Sequence, residues 1–335
     1  MQAVLYVLFA SAVLAGAGWA LLYRPDLPPA ALERDYADGA SRFIEAGSVR
    51  FHYRDEGEGE PIVLLHGLTA NLFVWDAWAQ RLSEHLRVIR LDLPGHGLTG
   101  PDPEERYGWP QVADLVVRLL DQLDVARATL VGNSFGGAIA WQIAARHPER
   151  VSRLVLIAPV GHTAAGQLPW LLRLLAHPVS GPLLARLTPR SAFLQRVQGT
   201  YADPARVDPD EAERQYRLLK RAGNRDALRA ILRGGKALET ETLLARIQVP
   251  TLILWGGADP VLPPSNAQRF ARDIAKVEVV VIPSAGHTPM LEQPEPSVAA
   301  LLDFLGEDKP GRGPRIGPAG CESLDAVAGC DESVQ

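Results

Sequence analysis

A serine hydroxyl is a weak nucleophile at neutral pH unless its setting supplies a base and a place for negative charge. Ser134 has the sequence surroundings of such a setting. It stands inside Gly132-Asn133-Ser134-Phe135-Gly136-Gly137, a G-x-S-x-G run. A short apolar stretch, Ala128–Val131, precedes the run, and a helix-compatible stretch, Ala138–Ala145, follows it. Strand, sharp turn and helix together expose a serine Oγ at the amino end of a helix, where outward-pointing N–H groups favour negative charge. Side chains at Gly132 or Gly136 would obstruct so tight a turn. A Gly-rich strand-to-helix connection without chemistry would read the same way, so the partners decide.

Those partners are a histidine that takes the serine proton and a carboxylate that fixes the imidazole tautomer. His287 closes Ser284-Ala285-Gly286-His287, just after the apolar run Val277–Ile282. Asp259 lies in Gly256-Gly257-Ala258-Asp259-Pro260, just after Thr251–Trp255. A lone post-strand aspartate is more often a turn former, and a lone histidine more often structural. Together, each after its own strand, they complete a Ser134, Asp259, His287 triad. An oxyanion also needs pre-aimed donors. The Phe135 N–H is one, and Leu68, after His66-Gly67, is the choice for the other, with Thr69 as runner-up. His66 and His96 read as residues that hold their loops. Asp92 is the competing acid, disfavoured because it precedes the serine. This chemistry requires no metal and no organic cofactor.

The elements that must position these groups alternate. Strands are expected at Ser48–Arg54, Pro61–Leu65, Arg87–Leu91, Ala128–Val131, Arg153–Ala158, Thr251–Trp255 and Val277–Ile282. Helical spacing appears in Leu72–Leu86 and Val112–Leu123. The pattern implies an α/β fold: a mostly parallel central sheet with helices on both faces. Its site belongs at the carboxyl ends of the strands, where His66, Asp92, Ser134, Asp259 and His287 all fall. Residues 31–159 and 247–305 form this core. Between them, 160–246 breaks the alternation and reads as an inserted helical cap, with helices at Leu168–Leu175, Pro182–Leu187, Pro209–Ala222 and Asp226–Arg233. The apolar stretch Trp170–Leu175 either packs the cap onto the core, lines an acyl pocket or meets a membrane surface.

The 335 residues carry a formal net charge of -5, which with no basic stripe argues against nucleic acid as a partner. Residues 1–30 read as a membrane anchor or signal segment plus linker. Ala3–Leu22 is uncharged and long enough to cover a bilayer core, which implies a single-pass amino-terminal anchor. Ala15-Gly16-Ala17 keeps a cleaved signal, and a secreted or periplasmic enzyme, as the alternative. Residues 306–335, rich in Gly, Pro, Asp and Glu, read as a disordered tail carrying both cysteines, Cys321 and Cys330.

His66-Gly67, Asp92-Leu93-Pro94-Gly95-His96-Gly97, the Gly132–Gly137 run, Trp255–Asp259 and Ser284–His287 resemble the α/β-hydrolase superfamily. The resemblance covers about 48–305. It is similar to capped serine hydrolases: esterases, monoacylglycerol-lipase-like enzymes and carbon–carbon hydrolases of ring-cleavage products. It implies the α/β-hydrolase fold and the triad order seen here. The implied function is a serine esterase or lipase acting on a small-molecule or lipid ester, acylglycerols included. A carbon–carbon hydrolase with the same triad is the alternative, and a non-catalytic binding protein on the same fold a further one.

Overall fold

The computed structural model describes Tyr6, Phe9, Gly18 and residues 22–162, 170–234 and 240–306. At its centre is an eight-stranded sheet in the order β1-β2-β4-β3-β5-β6-β7-β8. The strands are β1 (Arg42–Ala46), β2 (Val49–Glu56), β3 (Glu60–Leu65), β4 (Leu86–Leu91), β5 (Ala128–Asn133), β6 (Val151–Ile157), β7 (Thr251–Gly256) and β8 (Val277–Ile282). β1–β2 and β2–β4 pair antiparallel, and every other pairing is parallel. All six residues of β5 and of β7 are buried, as expected where both faces of a parallel sheet are covered.

Helices cover the two faces. They are α2 (Asp76–Leu82), α3 (Trp109–Gln122) and α4 (Phe135–Arg146), then, beyond the last strand, α12 (Pro289–Glu292) and α13 (Pro294–Leu305), whereas α1 (Pro29–Tyr36) packs Leu32 with Leu72, Phe73, Leu98 and Leu218. α3 presents Val112, Leu115, Val116 and Leu119 to one apolar core, at the i, i+3, i+4, i+7 spacing of a buried helix stripe. On the other face Trp75, Trp78 and Leu82 pack with Leu301 and Leu302 of α13. The Leu72–Leu86 helical expectation divides here. A 3₁₀ turn, Leu72–Trp75, leads into α2, and Leu86 already belongs to β4.

Between β6 and β7 the described residues contribute helices and no strand of the sheet: α5 (Trp170–Ala176), α6 (Ser180–Arg186), α7 (Arg190–Gln198), α8 (Pro209–Leu219), α9 (Asn224–Gly234) and α10 (Thr240–Leu244). α11 (Asn266–Asp273) follows β7. Trp170–Leu175 packs only in part: Leu172 and Leu175 are half-buried, Leu175 against the cluster of Phe193, Val197 and Tyr216. α5 has no buried residue, and Trp170 and Leu171 are exposed.

The membrane placement is corrected. A span needs about 20 apolar residues in one helix, and no helix of the described residues is long and apolar enough to cross a membrane. Tyr6, Phe9, Gly18 and Leu22 are helical. The remainder of the segment 3–22 lies outside the described residues. So do 307–335, with Cys321 and Cys330. The linker reading also changes, because the chain after Leu22 is docked. Arg24 N–H donates to Arg186 O, Leu27 N–H to Lys220 O, and Ala222 N–H to Leu27 O. Asp26 meets the buried Arg225 guanidinium at 2.6 Å.

Candidate active site

Ser134 sits at the tip of the turn between β5 and α4, with φ 52° and ψ −111°. That backbone is strained for a residue with a Cβ, and the surroundings hold it. Ser134 N–H donates to Ile157 O, and Ser134 O accepts from Ala138 and Val160 N–H groups. Close packing explains the glycines. A Cβ on Gly132 would lie 2.3 Å from Gly136 O, and one on Gly136 would lie 2.2 Å from Leu65 O.

The His66–Thr69 loop abuts this turn, since a Cβ on Gly67 would come within 3.4 Å of Ser134 Cβ. The N–H groups of Phe135 and Leu68 make no hydrogen bond to another group among the described residues. Both belong to segments that touch Ser134, as an oxyanion pair requires. Thr69 holds φ 63°, a conformation rare for a β-branched residue.

His287 and Asp259 come together directly. His287 Nδ1 lies 2.8 Å from Asp259 Oδ2. The other carboxylate oxygen accepts the Val261 and Leu262 N–H groups at 2.8 and 2.9 Å. An aspartate held this way accepts the Nδ1 proton and leaves Nε2 with its lone pair. Ser134 joins the pair through the backbone: Asn133 Nδ2 donates to both Ile157 O and His287 O. No hydrogen bond joins Ser134 Oγ to the imidazole. Contacts of this kind are often long before substrate arrives.

A second Ser–His–Asp set lies elsewhere. Asp92 Oδ2 is 2.7 Å from His52 Nδ1, and His52 Nε2 is 2.9 Å from Ser41 Oγ. Asp92 therefore faces His52, whereas His287 is served by Asp259. Asp92 also accepts the Leu72 and Leu98 N–H groups. A Cβ on Gly97 would fall 2.0 Å from its carboxyl carbon. Burial works to raise the Asp92 carboxyl, but the His52 and His66 rings and these hydrogen bonds hold it below the usual carboxylate range. Ser41 has an unstrained turn, with its N–H given to Asp38 O and the Asp38 carboxylate alongside. Negative charge there opposes an oxyanion, so this set is architecture.

His66 and His96 hold loops, as their positions suggested. His66 Nδ1–H donates to Gly67 O, and Nε2 accepts the Leu93 N–H. His96 Nδ1–H donates to Pro94 O while its ring stacks on Phe135. Burial first, then the neighbouring His66, lowers His96 to about 3. Burial likewise lowers His66. Between about 6.5 and about 3 the unfolded chain binds a proton at His96 that the folded one refuses. Stability from this group is thus complete above pH 6.5 and falls on acidification. The slope is about 1.4 kcal/mol per pH unit. Urea midpoints at pH 7.5, 6.0 and 5.0 measure it, and His96→Asn should flatten the dependence. Parallel slopes for wild type and variant would show that His96 is already protonated in the fold.

Three site residues escaped the sequence reading. Asn133 is the first, although it lies inside the motif. Glu292 is the second: buried on α12, it accepts the N–H groups of Gly286, Ala202 and Asp203 at 2.6–3.0 Å. It thereby ties the His287 loop to the segment after α7. A carboxylate in the otherwise apolar Pro289-Met290-Leu291-Glu292 run was its one signal. Arg196 is the third. It lies on α7, a helix the sequence reading missed, and its Nη2 donates to Thr69 Oγ1. Only Phe193 and Val197 are buried on α7, too few to print a helical period.

With this geometry, comparison with known proteins is direct. The model of the alpha/beta hydrolase fold family matches residues 60–294. The chain belongs to this family, and hydrolases recur among its relatives. The dihydrolipoyllysine-residue acetyltransferase component of an acetoin cleaving system from Pseudomonas putida is 32% identical over 76% of the chain, which spans 65% of that relative's length. A pimeloyl-acyl-carrier-protein methyl ester esterase from Neisseria meningitidis is 31% identical, covering 73% of this chain and 93% of its own. A solved structure of a meta-cleavage product hydrolase from Pseudomonas fluorescens superposes with TM-score 0.70 at 25% identity, covering 80% of this chain and 98% of its own.

Proposed function

We propose that this hydrolase cleaves carboxylic esters through Ser134, His287 and Asp259. The observation that carries the reading is the strained Ser134 turn beside two N–H groups with no partner among the described residues, with His287 oriented by the Asp259 carboxylate and its backbone carbonyl held by the neighbouring Asn133. His287 Nε2 takes the Ser134 proton as Oγ attacks the ester carbonyl. The Phe135 and Leu68 N–H groups receive the oxyanion. His287⁺, stabilised by Asp259, then protonates the leaving alcohol, and the acyl group stays on Ser134. Water, activated by the same imidazole, releases the acid and restores the enzyme. The helices of 160–246 act as a cap whose lining selects the acyl part, and residues 31–159 and 247–305 supply the catalytic core.

An esterase among the relatives supports the ester reading. Carbon–carbon cleavage by the same triad is the second reading, favoured by the likeness to a meta-cleavage product hydrolase. Purified protein assayed on p-nitrophenyl esters and on a ring-cleavage dienoate separates the two. Ester turnover with an inert dienoate is the expected result, and the reverse pattern would overturn it.

A further inference from the structure

Among the described residues, Arg196 has no carboxylate partner. The nearly buried Arg90, Arg225 and Arg229 are each held by acidic side chains. Arg196 is held instead by a neutral hydroxyl, Thr69 Oγ1, with the Phe193 ring 5.8 Å away. Its position is fixed from two sides. One turn further along the chain, Thr200 O accepts the His287 N–H at 2.7 Å. Thr69 directly follows Leu68 in the loop against Ser134. The Arg196–Thr200 segment therefore meets the His287 loop through its backbone and the proposed oxyanion loop through the guanidinium.

Solvent reaches the residue. Neighbouring protein pulls the guanidinium below its ordinary value, and among the described residues no carboxylate offsets this. A planar fork of donors is matched by a carboxylate. The strained Thr69 would give up its bond to the arginine without leaving its hydroxyl unpaired, since it can donate to the same anion.

We propose that Arg196 and Thr69 form a carboxylate-binding subsite, so that the preferred substrates are esters whose acyl part carries a second, free carboxylate. The assignment of the ester itself rests on the Ser134 reading above. Leu68 and Thr69 are adjacent, with Cα atoms about 3.8 Å apart, so the carboxylate and the reacting carbonyl are separated by a short chain. Half-esters of four- or five-carbon dicarboxylic acids fit that span.

The test compares kcat/KM for monomethyl glutarate with that for the uncharged methyl valerate. Wild type should favour the charged ester by about 10–100-fold, the range for a charged hydrogen bond. Arg196→Gln should bring the ratio near one, chiefly by raising KM for the charged ester, and Arg196→Lys should restore part of it. Arg190→Gln, at the other end of α7 and paired with Glu213, should leave the ratio alone. A wild-type ratio near one, or one that survives Arg196→Gln in a variant with normal melting, overturns the subsite. If wild type cleaves neither ester, the ester reading fails. The subsite is then judged by calorimetry of glutarate binding to Ser134→Ala: equal affinity with and without Arg196→Gln overturns it, and loss of binding upholds it.

Discussion

Ser134→Ala is expected to reduce ester turnover by about 10⁶-fold, the loss typical of removing the nucleophile of a Ser–His–Asp unit. It should also abolish labelling by an active-site fluorophosphonate. The fold should persist, because Ser134 is held by its backbone, through Ile157 O and the Ala138 and Val160 N–H groups, and its hydroxyl supports no neighbour. A companion variant separates chemistry from architecture. Serine at φ 52° carries strain that glycine does not. Ser134→Gly should therefore be equally inactive yet more stable, by about 1 kcal/mol. Denaturant unfolding of the three proteins reads this directly. Undiminished labelling of Ser134→Ala would remove Ser134 from the mechanism, whatever its stability.

The legible part of this molecule is the part written in local pattern. β3, β5, β6 and β7 are buried runs ending in turn residues, so both they and the groups at their ends were readable. The Ser134 turn was readable because Gly132 and Gly136 must be glycine where Leu65 O and Gly136 O crowd them. β1 escaped because an edge strand with one fully buried residue, Ala46, carries almost no alternation. α7 escaped for the same physical reason, and Arg196 with it. Trp170–Leu175 misled in the opposite direction: Trp170, Leu171 and Leu174 are exposed while Leu172 and Leu175 are half-buried, and hydrophobicity alone does not name the surface a helix meets. The segment 3–22 shows the limit of reading by run length. Its apolar composition implied a span, while Arg24–Leu27 immediately beyond it are bonded to α6 and the α8–α9 connection.

Two aspartates give the most discriminating prediction. Asp259 and Asp92 each hold a histidine Nδ1 at 2.7–2.8 Å, and each histidine has a serine in its neighbourhood. The two asparagine variants should fail in opposite ways. Asp259→Asn keeps an oxygen for the Val261 and Leu262 N–H groups. It cannot stabilise the imidazolium, and it favours the wrong tautomer of His287. The expected result is a fall in kcat of about 10⁴-fold with melting little changed. The Leu72 and Leu98 N–H groups sit on different Asp92 oxygens, so Asp92→Asn turns its NH₂ group toward one of these donors whichever way the amide is set. That leaves buried donors unpaired and should cost about 3 kcal/mol of stability. The molecules that remain folded should turn over substrate at close to the wild-type kcat. Active-site titration with the fluorophosphonate counts those molecules, so kcat per folded site can be compared. If instead Asp92→Asn abolishes turnover per folded site while Asp259→Asn spares it, Asp259 is a turn former and His287 works without it.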